Sequence, residues 1–239
     1  MKSLLLIPPL TQINMPFPST AYLTGYLRAQ DHPIEQDDLG LKLALKLFSK
    51  RGLAQVRDVL LKKKMKMNAS DAVLFFLEAF EDYQACIEPV VRFLQGKDPS
   101  LALRITAKTL LPEGPRFLPL REHAELTSVF GDLGTQDKAK YLASLFLDDI
   151  SDVVRDGVDE QFGFSRYAES LASSEADFSK LYKKLKAENS LIDQWLVELV
   201  DEVIQQHQLE VVGLSIPFPG NMYAALKIAQ IFKSKNGNI

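Results

Sequence analysis

The spacing of apolar positions changes twice along the chain, and the changes divide it. Ser3 to Ile7 (SLLLI) is a continuous apolar run stopped by Pro8-Pro9, the pattern of a strand buried on both faces of a parallel sheet. A loop rich in Pro, Thr and Asn follows to about Ser19. Ala21, Leu23, Tyr26 and Leu27 then mark a short amphipathic helix, and Pro33 to Leu39 (PIEQDDL) a second, more polar strand. From about residue 41 to 207 the period is helical. Apolar residues at 73, 76, 77, 80, 83, 87, 90, 91 and 94 lie close to one helix face over Ala72–Leu94. Pro89 lacks the N–H for an i−4 bond and is expected to kink or divide that helix. Tyr141, Leu142, Leu145, Phe146, Ile150 and Val153 form a second stripe, entered through Gly134-Thr135. The clearest stripe runs from Leu191 through Trp195, Leu199 and Val203 to Ile204, with Ser190 and Asp193 spaced as a capping pair at its start.

Glu210 to Ile216 (EVVGLSI) returns to strand. Pro217-Phe218-Pro219-Gly220 turns the chain, and Asn221 opens a last helix with Ala224, Ala225, Leu226, Ala229 and Phe232 inward. Strand–loop–helix at both ends of a helical middle predicts an α/β protein. Its core is an incomplete flavodoxin-like (Rossmann-type) parallel sheet of about three strands, interrupted by a large all-α insertion. The expected divisions are 1–40, 41–207 and 208–239, with the sheet cut short before a fourth strand. Such a sheet leaves strand 3 with an unpaired edge, to be covered by a partner, a second copy in a homodimer, or the insertion's own helices.

Composition narrows the partners. The 239 residues are 46% apolar and 25% charged, ordinary for a globular protein. A net charge of −3 excludes a broad basic surface, so nucleic acid is not the expected partner. Pro8-Pro9 cuts the only run that resembles a signal peptide, and no stretch reaches the ~18–20 apolar residues of a membrane helix. A cytoplasmic location without membrane attachment is expected, and the Asn68-Ala69-Ser70 sequon then has no role. Cys86, the single cysteine, excludes an internal disulfide and a self-contained iron–sulfur cluster, and reads as a buried inert thiol. His32, His123 and His207 are too far apart for a zinc pattern. Asp148, Asp149, Asp152, Asp156 and Asp159 read as a solvated helix face, and Lys62, Lys63, Lys64 and Lys66 as a surface helix end. No glycine loop is present to cradle phosphates, against a nucleotide site.

Two segments carry a resemblance: SLLLIPPLTQINMPFPSTAYLTGYLR with the following IEQDDLGLKLA, and VVGLSIPFPGNMYAALKIAQIFK. Together, over about 1–48 and 208–235, they resemble the cobalamin (vitamin B12)-binding N-terminal domain of cobalamin-dependent radical S-adenosylmethionine enzymes. In that family a strand ending in a proline pair leads into a loop facing the corrin. A second strand ends in an Asp-Leu pair, here Asp38-Leu39, and a third runs into a Gly-x-Ser turn, here Gly213-Leu214-Ser215.

The resemblance implies cobalamin seated outside the carboxyl ends of the strands, where ligands of doubly wound sheets sit. The candidate binding residues are Pro9, Thr11, Gln12, Asn14, Thr20, Asp38, Ser215, Pro217, Phe218, Gly220 and Asn221, with Met15, Phe17 and Phe218 as an apolar platform. The cobalamin signature Asp-x-His-x-x-Gly is missing between Ile7 and Ala21, so no histidine of this loop ligates cobalt and no residue is assigned to a metal. The S-x-L signature survives only in Ser215. S-adenosylmethionine and a 4Fe–4S cluster would belong to a downstream radical domain or partner subunit, in methyl transfer or rearrangement. The chain itself supplies no catalytic residue, while its parent would be a radical enzyme. The competing reading is a helical interaction or dimerisation module on a degenerate α/β scaffold with no cofactor. In that reading Ser215 is simply a small residue closing a turn, and 217–220 a stiff connection.

Overall fold

The computed structural model describes residues 2–9, 17–63, 69–122, 134–160, 162–163, 178–207 and 209–235. The chain forms two compact units, one from 1–44 with 161–239 and one from 45–160.

The first unit is built on a three-stranded parallel sheet of order β2-β1-β3. The strands are β1 (Ser3–Ile7), β2 (Ile34–Asp38) and β3 (Val211–Leu214). Register pairs Ser3 with Ile34 and Val211, and Leu6 with Asp37 and Leu214. β1 is the central strand, and its Leu4 and Leu6 are fully buried. β3 is an edge strand among the described residues, and its Val211 is 41% exposed. Gly213 lies within β3 and not in a turn after it. A Cβ there would stand 2.6 Å from Leu5 Cδ2, so the glycine permits close approach of the two strands.

Helix α1 (Ser19–Ala29) packs on β1 and β2, but its inner face carries Thr20 and Thr24. Leu23 and Tyr26, expected inward, are 48% and 65% exposed. Helix α2 (Leu39–Leu47) begins in this unit and follows β2 directly.

The second unit holds α3 (Lys50–Lys62), α4 (Asp71–Glu78), α5 (Phe80–Leu94), α6 (Leu101–Thr106), a 3-10 turn at Pro115–Phe117, α7 (Leu118–Glu122) and α8 (Thr135–Gly157). The expected break at Pro89 is instead at Ala79, between α4 and α5. Pro89 is accommodated because the carbonyl it leaves without a donor, that of Ala85, lies on an exposed turn. The core here is aromatic: Tyr83 stacks on Phe146 at 5.2 Å and meets Phe76 at 5.2 Å. Tyr141 is 42% exposed and lies off the buried stripe of α8.

Helices α9 (Ser179–Lys186) and α10 (Leu191–Gln206) belong to the sheet unit and pack on the last helix, α11 (Met222–Lys235). The helical unit is therefore shorter than the 41–207 insertion expected. The apolar stripe that marks α10 as helical carries no information about which unit buries it. Its capping box forms as the spacing predicts, and Trp195 is fully buried. In α11, Tyr223, Ala224, Ala225, Ile228 and Phe232 face inward, while Leu226 and Ala229 are only half-buried. Among the described residues no helix is long and apolar enough to cross a membrane.

Candidate functional site

At the carboxyl ends of β1 and β3 the chain ties its loops together. Asn221, at the end of a 3-10 turn (Pro219–Asn221), is fully buried, and its Nδ2 donates to the carbonyl of Pro9 at 3.0 Å. Ser215 extends β3 by one rung, its N–H donating to the Leu6 carbonyl at 2.9 Å. Its hydroxyl meets that of Ser19, at the start of α1, at 2.5 Å. Above these ties Phe17 and Phe218 pack edge to face at 5.8 Å, with Phe218 55% exposed. Pro219 suits the first position of the turn, where no backbone donor is needed.

Asp38 stands opposite Ile7 across the β1–β2 ladder, at the same end of the sheet. Its Oδ1 accepts from the N–H of Leu41 at 2.9 Å, so it caps the start of α2. Burial raises its pKa, the N–H groups of Leu41 and Gly40 pull it back, and the charge of Asp37 adds to the rise.

The sequence-predicted residues therefore separate by role. Pro9, Thr20, Gly220 and Asn221 are buried, and the Asn221–Pro9 bond joins the two loops. Thr20 in particular is on the covered face of α1 and not on the open surface, because the helix turns its threonines inward. Ser215, Pro217, Phe218 and Asp38 retain accessible surface, as does Phe17. Thr11, Gln12, Asn14 and Met15 lie outside the described residues. Ser19 was not among the predicted residues; its signal is its position at the N-terminal end of a helix that follows a strand.

The cluster suits a group held by surface contact and hydrogen bonds. An aromatic pair offers an apolar edge, and Asn221 Oδ1 is a buried acceptor with no donor. Because the Pro9 carbonyl can only accept, the orientation of the Asn221 amide is fixed and its oxygen cannot take the place of its nitrogen. Two pockets among the described residues lie elsewhere. One of about 340 Å³ sits at the amino ends of β1 and β2, beside the His207 Nδ1–Glu35 Oε2 contact of 3.3 Å, and one of about 470 Å³ lies along α9, α10 and α11.

Elsewhere the candidate chemistry is structural. Among the described residues no group of three or more His, Cys, Asp or Glu side chains could hold a metal ion. Lys63 Nζ donates to the carbonyls of Gly157 and Val158, both at 3.0 Å, capping the end of α8; Lys64 and Lys66 lie outside the described residues, as do His123 and Asn68. Cys86 is buried and donates to the Asp82 carbonyl, and burial with the Asp82 charge pushes its thiol up to about 12.

The aspartate series along and just past α8 is not a uniformly solvated face: Asp149, in the helix, is 1% exposed and Asp159, two residues beyond its end, 4%. Asp152 pairs with Arg116 and Arg155, at 2.5 and 2.7 Å. Asp149 Oδ1 accepts from the N–H of Arg116 at 2.9 Å, while its Oδ2 has no partner. Burial raises its pKa to about 6, against the lowering effect of the Arg116 and Gly114 N–H groups. A Cβ on Gly114 would stand 2.5 Å from that Oδ2 and 2.9 Å from the Tyr83 hydroxyl, so only glycine fits there. No protein family, curated protein or solved structure matches this chain.

Proposed function

We propose that the sheet unit is a flavodoxin-like cobalamin-binding domain that seats the corrin over the carboxyl ends of β1 and β3, in the service of a radical S-adenosylmethionine domain. One observation carries the reading. The loops after the two strands are joined by Asn221–Pro9 and Ser19–Ser215, and they present Phe17 and Phe218 at the surface beside a buried acceptor without a donor. When bound, the cofactor supplies a cobalt able to carry a methyl group or an electron. This chain's residues bind and orient: Phe17 and Phe218 give an apolar edge, Ser215 and Asp38 stand at the rim, and Asn221 fixes the loop.

Titration with hydroxocobalamin, followed by visible absorbance, tests this. A saturable spectral change that weakens in Phe218→Ala is expected, and an unchanged spectrum at high micromolar cofactor overturns it. Incubation of the chain with S-adenosylmethionine, reductant and cobalamin is expected to give no turnover, because its single cysteine, Cys86, cannot hold an iron–sulfur cluster.

A second reading, an interaction module working as a homodimer, is favoured by the exposed face of α1, where Tyr22 is 77% and Tyr26 65% exposed. A dimer in light scattering that Tyr22→Ser with Tyr26→Ser dissolves, together with no cobalamin response, supports that reading over the first.

A further inference from the structure

Lys227 is a lysine in the interior of the sheet unit. It lies on α11 and is 5% exposed, with Tyr223 and Ile231 buried one turn before and one turn after. An ammonium has three donors and no acceptor, and taking it out of water is costly unless acceptors and a counter-charge are supplied. One donor is used: Nζ lies 2.7 Å from Asn189 Oδ1, a neutral amide. Among the described residues no carboxylate forms an ion pair with it. Asp193, on the neighbouring α10, has its oxygens engaged by the Ser190 N–H, the Ser190 hydroxyl and the Tyr223 hydroxyl.

The same lysine lines the open pocket of about 470 Å³ bounded by the end of α9, the 187–190 segment, α10 and α11. Leu185, Val197 and Ile231 give this pocket apolar wall, Lys186 also lines it, and among the described residues no acidic side chain does. Lys235 also lines it but is already paired with Asp201, and the exposed Lys186 lies over the Tyr182 ring, so Lys227 is the buried charge left to be answered. The size is that of a small-molecule site. The sign of the charge and the wall beside it define the occupant: an anionic head on a short apolar body.

We propose that this pocket binds a small organic anion, a carboxylate or phosphate monoester with a short hydrocarbon body, whose head group accepts from Lys227 Nζ. The site is separate from the cofactor seat at the strand ends and does not depend on it. Calorimetric titration of the full chain tests it, with hexanoate and hexyl phosphate as the two head groups and hexan-1-ol as the uncharged control. At least one anion is expected to bind about tenfold or more tighter than hexan-1-ol, the factor that one charge-assisted hydrogen bond supplies. The tighter of the two identifies the head group.

Lys227→Met is expected to remove the preference for the anion, and Lys227→Arg to keep it. Ala187→Trp, at an exposed position of the same pocket, should block the anion with Lys227 intact and the fold undisturbed. Absence of saturable heat with both anions at about 10 mM, where even millimolar affinity would register, overturns the proposal. So does equal affinity for hexan-1-ol, or an anion affinity that Lys227→Met leaves unchanged.

Discussion

Each unit buries a carbonyl-type side-chain oxygen that has no donor, Asn221 Oδ1 in the sheet unit and Asp149 Oδ2 in the helical unit; the Thr24 hydroxyl of the sheet unit is a third buried oxygen without a partner. The two deficits look alike and have different remedies. Asp149 is a carboxyl, and it can take up a proton; its pKa of about 6 expresses that tendency. It is buried beside Gly114, next to which the Tyr83 hydroxyl also lies, and Tyr83 stacks on Phe146. The Asn221 amide cannot titrate in this way, and its nitrogen is anchored on Pro9. It stands among loops that also carry a partly exposed aromatic pair. Both oxygens are withdrawn from solvent, and they differ in chemistry: one belongs to a carboxyl that can take up a proton, the other to an amide that cannot.

The largest effect expected from this contrast is in the helical unit. Gly114→Ala should destabilise it by about 3 kcal/mol, because the added Cβ meets a carboxylate and a phenol that are both held in the core. Urea denaturation followed by far-ultraviolet circular dichroism measures this; a neutral substitution would show that the contact is not tight.

Next comes the pH dependence of Asp149. Its folded pKa lies above the unfolded value, so its protonated form is favoured on folding. The stability it contributes is full below about pH 4 and is lost as pH rises through about 6, a change on the order of 2 kcal/mol. Asp148, also raised by burial, acts in the same direction. Asp149→Asn should flatten denaturation midpoints between those pH values, and an unaltered slope would sink the assignment.

Asn221→Ala should cost about 1 kcal/mol, since it loses the bond to Pro9 while removing the orphan oxygen. Trp195, the single tryptophan, is fully buried in the sheet unit and reports that unit's unfolding by fluorescence. Smallest in stability is Phe218→Ala, with a change under about 0.5 kcal/mol for a side chain this exposed, yet with cobalamin affinity reduced about tenfold. A stability loss without an affinity loss would make Phe218 structural only.

The strands were legible because their signals are local. An apolar run ended by Pro8-Pro9, a polar run after Pro33 and a β-branched run before Pro217 delimit β1, β2 and β3. The capping box of α10 was legible for the same reason, as Ser190 and Asp193 sit three residues apart.

What was missed depends on packing. The break at Ala79 leaves no local mark, since its N–H still donates to Phe75 and its carbonyl still accepts from Tyr83. Periodicity places apolar residues inward and gives no reason to expect Asp149 among them, or Thr20 and Thr24 inward in place of Leu23 and Tyr26. Of the site, the Ser215-to-Asn221 segment was readable as a stiff loop at a strand end. Its ties to Pro9 and Ser19, about two hundred residues away, became visible only once the parallel pairing of β1 and β3 brought them together.

The most direct measurement is a visible-absorbance titration of the chain with hydroxocobalamin, run beside Phe218→Ala. A saturable change in the wild-type spectrum, displaced to higher cofactor concentration in the variant, is the result the account predicts. A wild-type spectrum that is simply the sum of protein and free cofactor would contradict it.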